Sequence, residues 1–590
     1  MDNLIYQWQQ PGYTEKKKTL LDKASKCRFC QKQGFSFWNE TCGSYKLSDQ
    51  ENKLNEKMET IRAAERTASC EGDKKKIYPA AIPFYSIKED IKRSTLFKVF
   101  QNMPKGSLLH VHSSAALSPE GFRDLLEQWG YWHPAQSSIK ESHSQALYVL
   151  WNEPVPSKWQ KGTLFYQWFL NEYTGNDSLE LFASCVPLNQ VIEDETFWQM
   201  LIFTNRVENS PCRWDELNAM FSRTSNLLED IDFYREYHRR FFLECIDDKI
   251  DYVEMRSGLA TLHSDTTNKL FRSVLSHPDY NWQKHFYFRE LNAPNGVQDT
   301  KFMDILQEEL KKVQKSEVGK NFNLRLILNA RRDLNPKNPK EYTKLLDKLN
   351  SAILFHCGTN YQKYNDFVIG FDFVSEEDRG YSTEDYIKLI YHSTLQLFHD
   401  NPEAAEIWEK PFTDNNIKLS YPRLQLIDFY LHDGESTWSG NSNVIDACLA
   451  SRYRIGHGFN LINHPAIANA LTFGCDGSQA YFPILEICPI SNQLLMYYPD
   501  LRCHPALALM RQGVQCIICN DDPQMFGNGG LSYDFWMAYI GFGIDLLDIK
   551  RLVFNAHFAK SGYKKTTADE EFKKQWDNFV NQALEILQRS

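Results

Sequence analysis

Eight short apolar runs recur along the chain, each followed by polar residues and then a helical stretch. No other feature limits the possible folds as much. They are SLLHVH (107–112), DYVEMRSG (251–258), LRLILNAR (324–331), VIGFDFVSE (368–376), IDFYLHDGE (427–435), RYRIGHGF (452–459), ILEICPISN (484–492) and VQCIICNDD (514–522). Strands that alternate with helices build parallel sheets covered by those helices, and eight such units suit an α/β (β/α)8 TIM-type barrel. Such barrels carry their chemistry at the carboxyl ends of the strands. Here those ends hold His110 and His112, His432 and Glu435, His457, and Asp521 with Asp522.

The spacing also shows what has been added. Residues 113–250 are far more than one strand-to-strand connection needs. SPEGFRDLLEQW (118–129) reads as the first barrel helix, while 131–185, rich in Trp, Tyr, Ser and Pro with weak periodicity, reads as a small inserted domain. Helices are expected again from about 186. Ahead of the barrel, which takes 101–590, lie a polar extension (1–46) and a helical arm (47–100). The spacing of Leu54, Met58, Ile61 and Ala64 predicts an amphipathic helix over 47–77. A lone barrel does not require such an arm, so a homodimer is expected. The extension holds Cys27, Cys30 and Cys42, but no nearby histidine completes a zinc knuckle.

Composition narrows the partners. A net charge of −10 with only two short basic runs, Lys16–Lys18 and Lys74–Lys76, speaks against nucleic acid. No run reaches the 18 apolar residues of a membrane span and the first residues lack the core of a signal peptide, so the reading is cytoplasmic, with secretion the alternative if a leader has been removed. Cys245, Cys448, Cys488, Cys516 and Cys519 sit in apolar runs, where reduced thiols behave as small hydrophobes.

His110 and His112, at i and i+2, share one face of a buried strand, where unpartnered imidazoles are costly. A divalent metal is the simplest shared partner. His432 and Asp521, from other strands, bring the donor set to three imidazoles and one carboxylate, which suits zinc and points to hydrolysis. His457, between two glycines that would let substrate or water approach, reads as a general base. Glu435, three residues after His432, faces the same cavity as a proton donor. Of the adjacent Asp521 and Asp522, one can bind metal and the other can meet substrate or cap the next helix. A cytidine-deaminase arrangement is excluded: no H-x-E occurs, and Cys516 and Cys519 within one strand point to opposite faces.

MPKGSLLHVH, HDGE, RIGHGF, CPISNQLL and NDDPQMFG, followed by GLSYDFW, resemble the adenosine deaminases, most closely their growth-factor-related branch, over about residues 50–580. The resemblance implies zinc-dependent hydrolysis of adenosine (and 2′-deoxyadenosine) to the inosine product and ammonia, with one Zn2+ per subunit on His110, His112, His432 and Asp521. It makes Glu435 the proton donor to purine N1, has His457 orient or deprotonate water, and sets Asp522 against N7. Trp214, in RWDELNAMF, would line the pocket, the arm would dimerise, and the insertion would be that branch's receptor-binding domain. The chain departs from the pattern at four places. Ser113 stands where an aspartate contacts ribose, and Ser375 stands where a glycine amide meets N3. HDGE carries Asp433 for the usual alanine, and 131–184 lack the branch's disulfide cysteines. Because a carboxylate at 113 would repel a phosphate, its absence keeps AMP or another adenine nucleotide open as the alternative to adenosine; Arg256 and Arg331 lie near strand ends, but the sequence places neither beside the 5′ carbon. A catalytically silent binding protein is the other alternative, which the intact set of polar strand ends disfavours.

Overall fold

The computed structural model describes residues 47–70, 78–129, 132–134, 144–149, 164–169, 185–187, 198–260 apart from 206, 208, 209, 211 and 230, then 262, 300–386, 427–468 apart from 452, and 483–589 apart from 562 and 564–566. In chain order the strands are β1 (Gly106–His112), β2 (Trp132–Pro134), β3 (Ser144–Val149), β4 (Leu164–Phe169), β5 (Cys185–Pro187), β6 (Ile250–Ser257), β7 (Asn323–Arg331), β8 (Val368–Val374), β9 (Asp428–Phe429), β10 (His432–Asp433), β11 (Arg454–His457), β12 (Ile484–Ile487) and β13 (Cys516–Ile518).

Parallel pairing runs β1-β6-β7-β8-β9 and β10-β11-β12-β13. The pieces β9 and β10 are one strand interrupted at Tyr430 and Leu431, and a bridge between Val111 and Asp521 joins the end of the series back to β1. Two backbone hydrogen bonds carry that closure, His112 N to Asp521 O (3.1 Å) and Asp521 N to His110 O (3.3 Å). The result is the (β/α)8 barrel, with a strand from each of the eight apolar runs. Near-continuous burial of β1, β6 and β8 is what parallel strands covered by helices on one face and a filled interior on the other require.

The long connection after β1 begins with the expected helix, Pro119–Trp129. Within 131–185, β2 pairs antiparallel with β5 and β3 with β4. Where helices are expected to resume, Cys185–Pro187 is a strand paired with β2, and the first long helix after it among the described residues is Arg213–Thr224. Residues 188–197, like Cys27, Cys30 and Cys42, lie outside the described residues.

The leading helix spans Asp49–Cys70, and the rest of the expected stretch, 71–77, lies outside the described residues. Its start is a reciprocal capping pair: Ser48 N donates to Glu51 Oε2 (2.7 Å) and Glu51 N to Ser48 Oγ (3.3 Å). Leu54 and Met58 are fully buried against the chain itself. Glu51 accepts from Lys550 Nζ and Trp576 Nε1, both at 2.6 Å, and Arg62 donates to the carbonyls of Tyr539 (3.1 Å) and Ile544 (2.6 Å). The face that the sequence leaves open for a second subunit is therefore occupied by the chain's own C-terminal helices, Leu531–Gly541, Leu546–Phe558 and Thr567–Arg589. No helix among the described residues is long and apolar enough to cross a membrane.

Candidate active site

The carboxyl ends of β1, β10, β11 and β13 bring His110, His112, His432, His457 and Asp521 together. Ring centroids of His110 lie 5.4 Å from His112, 4.5 Å from His432 and 4.9 Å from His457. Asp521 Oδ1 is 3.3 Å from His110 Nε2 and 3.2 Å from His112 Nε2, and the Nε2 atoms of His112 and His432 are 3.1 Å apart. His457 and Asp521 have positive φ angles, 59° and 61°, unusual for residues with side chains. Strain of this kind is held only where surrounding structure over-determines it, and here it turns both side chains toward one centre.

Two of the imidazoles are oriented from behind by carboxylates. His110 Nδ1 lies 2.9 Å from Glu486 Oε2, and His432 Nδ1 lies 2.7 Å from Asp372 Oδ2. Arg256 joins the two carboxylates, reaching Asp372 at 2.7 Å and Glu486 at 2.6 Å, and Arg454 extends the chain to Glu486 (2.7 Å) and Glu254. All five of these charged residues are buried in the barrel interior. Burial alone would raise the carboxyl of Asp372, but His432 and Arg256 hold it well below its usual range; against the same burial, Arg256 and His110 depress Glu486. Both remain carboxylates, so the Nδ1–H of His110 and of His432 is donated to them. The Nε2 lone pairs then point inward.

That leaves acceptors facing acceptors. A lone pair on His110 Nε2, which has no hydrogen-bond partner, confronts an oxygen of Asp521, and the bare His432 Nε2 faces His112 Nε2. A cation relieves the opposed acceptors of His110 and Asp521, and three imidazole nitrogens with one carboxylate oxygen are a donor set that a divalent metal fits. Burial lowers His432 to about 3, which disfavours protonation as the resolution. Ligand atoms of His110, His432, His457 and Asp521 come within 4.8 Å of one another, as do those of His112, Asp521 and Asp522.

Around this centre stand the other expected residues. Glu435 is buried and its carboxyl lies well above its ordinary range, first through burial and then through Asp521, Glu377 and Asp522. Its Oε1, with no hydrogen-bond partner, is 3.5 Å from His457 Nε2. Asp522 is raised likewise by burial and by Asp521. Asp522 occupies the position before helix Pro523–Phe526, yet its side chain caps nothing there and its Oδ1 is unpartnered, so helix capping does not account for it. Trp214 Nε1 donates to Tyr497 OH (2.9 Å), and Tyr497 is raised by burial and by Glu435 nearby. Ser113 Oγ contacts Ser257 Oγ (3.3 Å) just past β1, and Ser375, just past β8, has φ 97°. The conformation at 375 is thus one that glycine adopts freely and serine does not.

Two expectations change. The glycines beside His457 serve packing rather than access: a Cβ on Gly456 would sit 3.2 Å from His110 Cε1, and one on Gly458 would sit 2.5 Å from Leu485 Cδ2. Arg256 is committed inside the barrel and cannot meet phosphate, while Arg331 is half-exposed and engages Asp333 and Ser375. The sequence reading missed Asp372, Glu486 and Glu377. The first two were signalled by carboxylates at inward positions of apolar runs, in GFDF and ILEI. Glu377 accepts from Glu435 N at 2.7 Å and from Asn441 and Asn443, so it fixes the backbone that carries Glu435.

A parallel eight-stranded barrel with a buried histidine–carboxylate centre at the carboxyl ends of its strands defines the class, a barrel hydrolase. Residues 423–576 match the family model described as "Adenosine deaminase". Adenosine deaminase 2 of Homo sapiens is 27% identical over 550 residues, covering 91% of this chain and 90% of that protein. Adenosine deaminase 2 of Dictyostelium discoideum is 27% identical over 515 residues, 85% and 78% of the two chains, and an adenosine deaminase of Phlebotomus duboscqi is 25% identical over 508 residues, 85% and 81%. The chain is thus similar to adenosine deaminases over about nine-tenths of its length, and these matches support a deaminating hydrolase.

Proposed function

We propose that the protein is a zinc-dependent adenosine deaminase, converting adenosine or 2′-deoxyadenosine and water to the inosine product and ammonia. The observation that carries this reading is the convergence of the Nε2 atoms of His110, His112 and His432 on Asp521, beside two carboxyls raised toward their protonated forms. When bound, the metal supplies Lewis-acid activation of water near neutral pH. Everything else falls to side chains of this chain. Glu435, held protonated by burial and neighbouring carboxylates, carries the proton that purine N1 takes as C6 is attacked. Protonated Asp522 donates to N7. His457 orients the attacking water, and Trp214 with Tyr497 closes one side of the substrate space.

Adenosine is favoured over AMP because, of the two arginines near strand ends, Arg256 is buried in the interior network and Arg331 is paired with Asp333. A homodimer belongs to the same reading, supported by the resemblance alone, and sedimentation of the intact chain tests it. Incubation with adenosine, 2′-deoxyadenosine, AMP and ATP while following the loss of adenine absorbance tests the substrate. Turnover of the nucleosides with little of the nucleotides is expected. Preferred AMP would move the reading to a nucleotide deaminase, and no turnover of any would favour a silent binding protein.

A further inference from the structure

Asn492 and His504 enter none of these steps, yet both are buried and linked to His457. The link starts at a backbone group whose role is fixed. Ala506 N–H donates to His504 Nδ1 at 3.1 Å, so that nitrogen carries a lone pair. Burial lowers His504 to about 3, leaving the ring neutral with its proton on Nε2. That Nε2–H faces Asn492 Oδ1 at 3.1 Å and sets which way the amide points. The amide nitrogen is then the atom 3.4 Å from His457 Nδ1. An amide N–H can only donate, so His457 Nδ1 must accept.

Its proton therefore sits on Nε2, the atom that faces Glu435 and the centre. His110 and His432 are the reverse case, since carboxylates behind them accept from Nδ1–H and so leave Nε2 bare. The partner at Nδ1 thus sorts imidazoles of one cluster into acceptors and a donor.

We propose that Asn492 and His504 are positioning residues that hold His457 as the Nε2–H tautomer, a hydrogen-bond donor to the attacking water, and so keep it out of a metal-binding group that its position would otherwise let it join. The use of that donor rests on the deaminase reading; the tautomer does not. An aspartate at 492 would keep the shape while presenting an acceptor to both rings. The His504 ring stacks on Phe542 (centroids 4.8 Å apart, 28° between planes) and borders Phe459 and Tyr498, a setting that accepts phenylalanine.

The test is nitrogen NMR of the full chain labelled at histidine, metal-free and zinc-loaded, with His457 assigned by its loss in His457→Gln. Protonated Nε2 and bare Nδ1 are expected in the wild type, with the pattern reversed in Asn492→Asp. Zinc content should stay near one per chain in Asn492→Asp while kcat falls about 10- to 100-fold, the usual cost of losing such an orienting partner. Should Asn492→Asp not fold, His504→Phe frees the amide, and both tautomers of His457 are then expected. A wild-type ring protonated on Nδ1, or a pattern that neither variant changes, overturns the relay. The expected tautomer in a preparation without turnover supports the relay and counts against the deaminase reading instead.

Discussion

Arg256→Met isolates the interior charge network. The guanidinium is fully buried, spans Asp372 and Glu486 at 2.7 and 2.6 Å, and also donates to the carbonyls of Leu109 (3.0 Å) and Tyr430 (3.2 Å). Two charge pairs with centres about 4 Å apart at an effective dielectric near 20 amount to about 4 kcal/mol each before desolvation is counted. Methionine fills the stem volume and removes the cost of burying the arginine, but it leaves two carboxylates with less compensation. Breaking a buried pair from one side typically costs about 3–5 kcal/mol, and that is the loss expected here. Since the same carboxylates orient His110 and His432, metal affinity should fall about 10- to 100-fold. Urea unfolding of the metal-free protein, read from the midpoint at unchanged slope, measures the first, and competitive metal titration measures the second. A stability loss below about 1 kcal/mol together with wild-type metal affinity would refute the idea that this network supports the site.

Glu435→Gln should bind metal normally and lose about 10²–10⁴-fold in kcat, as measured by ammonia release; a near-normal rate removes it as the proton donor. Ser375→Gly should raise stability by about 1 kcal/mol in thermal unfolding, because the serine is held at φ 97°; a loss of stability would show that its contact with Arg331 matters more. Glu244, which accepts from Ser118 N (2.9 Å) and Oγ (2.5 Å), is raised by burial from 4.5 to about 7. Its folded pKa exceeds the unfolded one, so its contribution is full below about 4.5 and is lost as pH rises through about 7, about 3 kcal/mol in all. Glu244→Gln should therefore gain on the wild type as pH increases over that window, whereas parallel stability curves would contradict the assignment.

The barrel was legible because parallel strands buried on both faces must be apolar throughout, and eight such runs stand out against polar connections. The candidate site was legible for the related reason that histidines at 110, 112, 432 and 457 interrupt those runs at their carboxyl ends. What supports them was harder to see. Asp372, Glu486 and Arg256 each look anomalous alone, and only closure of the barrel brings three distant strands to one interior. Asn492 gave no signal, because its role depends on which way an amide points. The leading helix shows another limit: periodicity gives the apolar face carrying Leu54 and Met58, but not that the cover comes from residues nearly 500 positions later, such as Lys550.

The central claim is that His110, His112 and His432, with Asp521, hold a metal on which hydrolysis depends. Metal-free protein should release no ammonia from adenosine, and zinc added back should restore the rate in proportion to bound metal, saturating at about one equivalent per chain. Full turnover by protein shown to contain no metal would contradict it.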